Sequence, residues 1–388
     1  MQKVIFYTGT CFMDASLELI NVLKNHVELH VLIEVTEKSK NQNVCDINEL
    51  PENELFVDPQ KVLSPKSFSF MEPFIKGTAS TMFIAHKQSN ILSNITKAHK
   101  IRKYISKIKP DVLHIEAILI RSALILPSIL KFKKVFVTLH DPIPHLGEKD
   151  YKIEFYKALL FKLPNLKGLL FYSEFAEQQF KSFYKIESIR RINLKMEALS
   201  YYRNFQDKET YEKKHILFFG RMSPYKGIDV LLDAIPGVIA KYPDEHFVIA
   251  GRSINGYEIN TEKLKNISGN ATILNKHISN HELVNLISEA KFVICPYIEA
   301  TQSAVLMTAF GLKTPVIASS VGAFAEHINP DRNGSLIQPS DPSALSARII
   351  EFIESKVYDV LADNLKIDSA LNLWTANTDI LLHAYTQD

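Results

Sequence analysis

The stretch ILFFGRMSPYKGIDVLLDAIPGVIAKYPDEHFVIAG, residues 216–251, decides how this chain folds. Ile216 to Phe219 is a short apolar run of strand formers that stops at Gly220 and opens a loop carrying Arg221 and Lys226. After Gly227, apolar residues at Ile228, Leu231, Leu232 and Ile235 recur at helical spacing. Phe247 to Ala250 is a second buried-strand run, ending at Gly251. The order predicts a β-loop-α-β unit whose helix aims its free N–H groups at whatever binds in the loop. Two cations at such a helix start suit a diphosphate, because the helix dipole and both side chains favour concentrated negative charge. Taken by themselves, Arg221 and Lys226 read equally well as solvated loop residues.

With 388 residues, 46% of them hydrophobic, the chain can bury two cores. Its charge of +2 is unevenly spread. Residues 1–199 hold 28 Lys and Arg against 21 Asp and Glu, a net of +7; the remainder holds 17 against 22, a net of −5. A basic first half suits an anionic surface or substrate, and equally a solvated surface. Cys11, Cys45 and Cys295 show no paired or metal-type spacing, which predicts reduced thiols and a cytoplasmic protein. The opening MQKVIFYTG reads as a strand, its apolar run being too short for a secretory signal. The most apolar candidate span, Ala117 to Leu130, is interrupted by Arg121 and Pro127, so no membrane crossing is expected.

Short apolar runs alternate with helical patterns along the first half. Strands are predicted at 4–7, 29–35, 112–115, 135–139 and 168–172, with helices at 15–25, 84–109, 117–130 and 150–162. Residues 37–80 read as a polar excursion. The second half repeats the architecture with strands at 216–219, 247–250, 271–274, 292–295, 315–318 and 335–337, then helices at 341–355 and within 357–388. The polar segment 203–214 reads as the hinge. The expected fold is α/β: two doubly wound Rossmann-like domains facing across a cleft, 1–202 and 203–369, with 370–388 crossing back to the first. Ligands in such sheets sit at the carboxyl ends of strands.

Several candidate residues fall at those ends. Gly9, between Thr8 and Thr10, follows the first strand; His140 and Asp141 follow VFVTL. His140 reads either as a hydrogen-bonding or acid–base group or as a turn-stabilising histidine. In the second half the strand ends carry Gly220, Arg221 and Lys226, then Gly251 and Arg252, then PYIEATQSAVLMTAF. There Gln302, Ser303, Ala304 and Val305 open an apolar helix, and Glu299 is either a sugar-hydroxyl acceptor or a first-turn acid. Segment 84–109 carries Lys87, Lys97, Lys100, Arg102, Lys103, Lys107 and Lys109 with no acid, which suits an anionic membrane or merely a solvated face. The aromatic interleaving of a nucleic-acid surface is largely missing, with only Phe83 and Tyr104 nearby. No metal-ligand spacing is found, so no metal is expected.

Strand-GR-x4-KG-helix, FVIAG, then PY…E with PVIAS and NGSLIQPSD, together resemble the family 4 glycosyltransferases of GT-B fold. VTLHDPIPH resembles that family's His-Asp loop, and FYSEFAEQQF its strand-Ser-Glu element; the likeness covers about 110–345. It implies metal-independent, retaining transfer of a sugar from a UDP- or GDP-linked donor to a saccharide or lipid-linked saccharide, as in bacterial surface polysaccharide synthesis. Arg221 and Lys226 would hold the donor diphosphate with the amides of 302–305, His140 and Glu299 would meet the transferred sugar, and the base would rest near Arg252, His277 and Ile278. The family's second glutamate is absent: its position is Met307 counted from Glu299, or Thr308 counted back from Pro315. The mid-motif glycine is Ser303, and the N-terminal glycine loop is reduced to Gly9. A non-catalytic partner subunit of another transferase, or another enzyme of the fold such as a nucleotide-sugar epimerase, are the alternatives.

Overall fold

Among the described residues of the computed structural model, fourteen strands form two sheets. The structure describes all residues except 40–43, 88–90, 145–149, 255, 331, 369–373 and 388. In the first sheet the strands are β1 (Lys3–Gly9), β2 (Glu28–Thr36), β3 (Phe56–Val57), β4 (Ser80–His86), β5 (Val112–Ile115), β6 (Lys134–Thr138), β7 (Leu166–Phe171) and β8 (Arg190–Asn193). They run in the order β3-β4-β2-β1-β5-β6-β7-β8, parallel throughout except for the antiparallel edge strand β3. The second sheet holds β9 (His215–Phe219), β10 (Phe247–Gly251), β11 (Ala271–Asn275), β12 (Ala290–Cys295), β13 (Val316–Ser319) and β14 (Gly334–Ile337) in the order β11-β10-β9-β12-β13-β14. Among the described residues its pairings are all parallel.

Parallel strands are buried on both faces and so read as continuous apolar runs, which is why the strand positions were legible. In β1 only Lys3 escapes burial, and β9 is buried throughout. Strand order reverses between β1 and β5 in one sheet and between β9 and β12 in the other. At each reversal the flanking connections go to opposite faces and leave a crevice at the carboxyl ends.

The chain divides into two units, one holding Met1–Pro144, Glu148–Met196 and Trp374–Asp388, the other built on Glu197–Leu373. The division falls a few residues before the expected 202/203. The reason is the turn Ser200–Phe205, which is tied to the second unit: Met307 O accepts from the Leu199 amide at 3.1 Å and Gly311 O from Arg203 Nε at 2.8 Å. The last helix, Thr375–Thr386, packs in the first unit, where Asn377 exchanges two hydrogen bonds with the Lys195 backbone (2.8 and 2.7 Å). Residues 370–373 of the returning segment lie outside the described residues.

Three expectations need correction. The excursion 37–80 and the start of the basic helix conceal β4, whose STMFIAH pairs with β2 in register from Ser80 to His86. The basic helix is therefore Ile91–Ile108, while 88–90 lie outside the described residues. The predicted helix 117–130 is broken into a 3-10 turn, Ile120–Ile125, and a single turn, Leu126–Ile129, where Pro127 removes an amide donor. The polar strand β8 had no apolar pattern to announce it. Among the described residues no helix is long and apolar enough to cross a membrane.

Candidate active site

The second unit gathers most of the candidate residues at the β9/β12 reversal. Gly220 follows β9 at φ +123 and Gly251 ends β10 at φ +150. A Cβ on Gly251 would lie 1.8 Å from the Gly220 carbonyl oxygen, so the two strand ends cross at a distance only glycine permits. The loop after β9 is then sewn down on both sides. Its Met222 amide donates to Arg252 O at 2.9 Å, and Tyr225 O accepts from the Ile298 amide at 2.8 Å. Gly227, at φ +68, turns the chain into the helix Ile228–Lys241 so close to the next loop that a Cβ would sit 1.8 Å from Pro296 O.

These constraints place Lys226. Its ammonium is buried, 3.9 Å from the centre of the Tyr297 ring and 5.0 Å from that of Tyr225. A charge held over ring faces keeps its attraction for an anion while being fixed in position. Arg221 is exposed at the mouth of the same loop. Opposite, the helix Ala304–Gly311 starts at Ser303, whose side chain caps no amide of the first turn. The Ser303 and Ser223 hydroxyls and the Gln302 side-chain amide nitrogen are buried without a hydrogen-bond partner among the described residues. A buried polar atom left unpaired costs about 1–3 kcal/mol, a cost that a polar ligand at this place would relieve. Val305 reaches across to Gly220, its Cγ2 3.1 Å from where a Cβ would stand. Glu299 is exposed beside this cluster, Ala304 is exposed at its rim, and Arg252, His277 and Ile278 line the outer edge near β10 and β11.

Gly9 and His140 belong to the first unit. His140 lies between two aromatic faces, its centroid 4.3 Å from Phe12 and 5.4 Å from Tyr172. Its Nε2 is 3.0 Å from Glu116 O and 3.2 Å from Glu116 Oε1. Sequence reasoning missed Glu116, the fully buried centre of this arrangement. Thr138 Oγ1 donates to its Oε2 at 2.7 Å and Tyr172 OH to its Oε1 at 2.8 Å. His114 Nε2 lies 2.9 Å from Thr138 Oγ1, and Tyr385 of the last helix meets His114 Nδ1 at 2.5 Å. Burial disfavours the Glu116 charge, but hydrogen bonds from His114 and His140 outweigh it and hold the carboxyl well below the usual range. Burial likewise opposes a charged His140, yet Glu116 prevails and raises the imidazole above its ordinary value. The one available signal was an acid, Glu116, directly after the strand VLHI, which itself carries His114.

Residues 213–355 match the family described as Glycosyl transferases group 1. Those residues are similar to a glycosyl transferases group 1 domain. The chain is 30% identical over 152 residues to a phosphatidyl-myo-inositol mannosyltransferase of Mycobacterium leprae, covering 37% of this chain and 38% of that protein. It is 26% identical over 167 residues to an uncharacterized glycosyltransferase, MJ1178, of Methanocaldococcus jannaschii, covering 42% and 46%. The chain thus spans less than half the length of these curated relatives, whereas whole-chain likeness exists at the level of fold. A glycosyltransferase from Rickettsia africae superposes with a TM-score of 0.66 at 16% identity over 100% of both chains. Alr3699/HepE of Anabaena, solved with UDP-glucose, does so at 0.65 and 13%, again over 100% of both. The fold is GT-B. The group 1 domain contains the whole Lys226 cluster, from β9 to the helix that Ser303 begins.

Proposed function

We propose that the chain is a retaining glycosyltransferase that moves a sugar from a nucleotide-diphosphate donor without a metal ion. The observation that carries the reading is Lys226, buried against Tyr297 at the β9/β12 reversal and set opposite an uncapped helix start. Lys226, Arg221 and the amides of 302–305 take the diphosphate and offset the charge that grows on it as the sugar departs. Glu299 accepts from the sugar's hydroxyls, and the base rests near Arg252, His277 and Ile278. His140, held in place by Glu116, hydrogen-bonds the transferred sugar. UDP is the favoured carrier, since Alr3699/HepE was solved with UDP and with UDP-glucose. The acceptor, a saccharide or lipid-linked saccharide of a surface polysaccharide, binds the first unit, and the basic helix Ile91–Ile108 keeps the protein at an anionic membrane in the cytoplasm. The mannosyltransferase relative, whose name carries a phosphatidyl lipid, supports that last element.

The test is calorimetry and turnover with Lys226→Ala and Arg221→Ala. Loss of a charge-assisted contact of about 1.5–3 kcal/mol weakens UDP binding tenfold or more. UDP affinity and transfer at wild-type level in Lys226→Ala would show the assignment to be wrong.

One observation favours a second reading, a non-catalytic partner of another transferase. Met307 is buried, and Thr308 Oγ1 is spent on Ala304 O at 2.8 Å, so neither replaces the family's second glutamate. Failure to bind either UDP or GDP would select this reading.

A further inference from the structure

The helix Tyr151–Leu160 turns Tyr156 and Leu160 into the core of the first unit, where they join Ile101 and Ile105 of helix Ile91–Ile108 and Phe180 of helix Glu174–Tyr184. The three helices therefore form one layer on one face of the sheet. On the opposite side of Tyr151–Leu160, residues spaced by four stand in solvent: Tyr151 is 75% exposed, Phe155 67% and Leu159 38%. Such spacing aligns them as one stripe along the helix. The neighbouring helix, joined to it by Tyr184 OH donating to Glu154 at 2.8 Å, presents Phe183 at 58%. A soluble surface rarely exposes so many large apolar side chains on adjacent elements without a use.

The charges around the stripe say what it meets. Lys152 and Lys162 are exposed at its two ends, and Lys185 is exposed just past the end of the neighbouring helix. The nearby acids are largely consumed inside the layer: Glu154 holds Lys157 at 2.9 Å, and Glu177 holds Lys181 and Arg191 at 2.6 and 3.1 Å. Exposed Glu174, at the start of the second helix, and exposed Glu187, just past its end, are the exceptions. Lysines flanking an aromatic stripe repel a second copy of the same face and attract an anionic bilayer, whose headgroups meet the ammonium groups while the rings enter the acyl boundary.

We infer that Tyr151, Phe155, Leu159 and Phe183 form a membrane-docking surface, with phospholipid of negative headgroup as its partner. The inference rests on the membrane-peripheral reading above and relocates the inserted part from the basic helix to the aromatic stripe. The test uses the full chain and vesicles of phosphatidylglycerol with phosphatidylcholine, against phosphatidylcholine alone. Wild type binds the anionic vesicles, more weakly with salt, and the fluorescence of Phe155→Trp shifts to the blue on binding. The double variant Phe155→Ser, Leu159→Ser, whose sites are solvent-facing and leave the circular dichroism unchanged, partitions about tenfold less or worse. Wild-type partition in that variant overturns the docking surface; if Lys103→Glu with Lys107→Glu then abolishes binding, the peripheral reading survives without it. No binding by wild type overturns both. A sedimentation coefficient of the free protein that falls with Phe155→Ser shows a self-association face and also overturns the inference.

Discussion

Lys226 and Glu116 solve opposite problems at the scale of a single residue. Lys226 is a buried cation steadied by ring faces, so its position depends on Tyr297 as much as on its own backbone. Replacing Tyr297 by Phe keeps a ring and should preserve UDP affinity, whereas Tyr297→Leu should weaken it by an amount matching a partly desolvated cation–π contact, about 1–2 kcal/mol. Isothermal titration of both variants checks this, and equal loss in the two would show that the hydroxyl matters rather than the ring. Glu116 is a buried anion steadied by donors. Glu116→Ala leaves Tyr172, Thr138 and His140 without their acceptor and should cost about 3–5 kcal/mol in denaturant unfolding. The pH dependence has a definite sign. His140 is raised, so its contribution is full below about pH 6.5 and is lost as pH climbs through its folded value. Glu116 is depressed, so its contribution is present above about pH 4.3 and lost only as acid reaches its lower folded value. A melting curve followed against pH should fall on the alkaline side, and His140→Asn should flatten that fall.

Local order at the scale of the element comes from close approaches that tolerate no side chain. Gly227→Ala combines a positive φ with a Cβ placed against Pro296 O and should destabilise by more than about 1 kcal/mol. Because the same contact sets Lys226, UDP affinity should fall with it; a variant losing stability while keeping affinity would separate the turn from the site. The helix-opening loop was legible beforehand because its message is local: strand, glycine, cations, glycine, helix, all within 216–235. β4 was not, since STMFIAH runs straight into a lysine-rich helical pattern and only its pairing with β2 distinguishes strand from helix. Glu116 was illegible for a related reason. Its partners at 114, 138, 140 and 172 meet only after β5, β6 and β7 are laid side by side. The three unpartnered polar atoms at Ser223, Gln302 and Ser303 are likewise a property of packing, invisible until the loops close on one another.

The first unit is interrupted in sequence by the second, a fact of the whole molecule. The last helix brings Tyr385 against His114, and its carbonyls at Tyr385 and Thr386 are held by Lys134 Nζ at 3.1 and 3.3 Å. Removing Trp374–Asp388 should therefore lower the unfolding temperature of the first unit and leave that of the second nearly unchanged, a pattern that scanning calorimetry resolves as one shifted transition out of two. During synthesis the consequence is one of timing. The ribosome finishes Met1–Met196 early, yet the pocket waiting for Tyr385 cannot be filled until the entire group 1 domain has been made and the last helix has left the exit tunnel. Throughout that interval the helix Met13–Leu23 lacks the helix that packs against it, and His114 and Phe136 lack their contact with Tyr385. Chaperone contact with nascent chains should consequently concentrate on the first unit and end only with the emergence of the terminal segment.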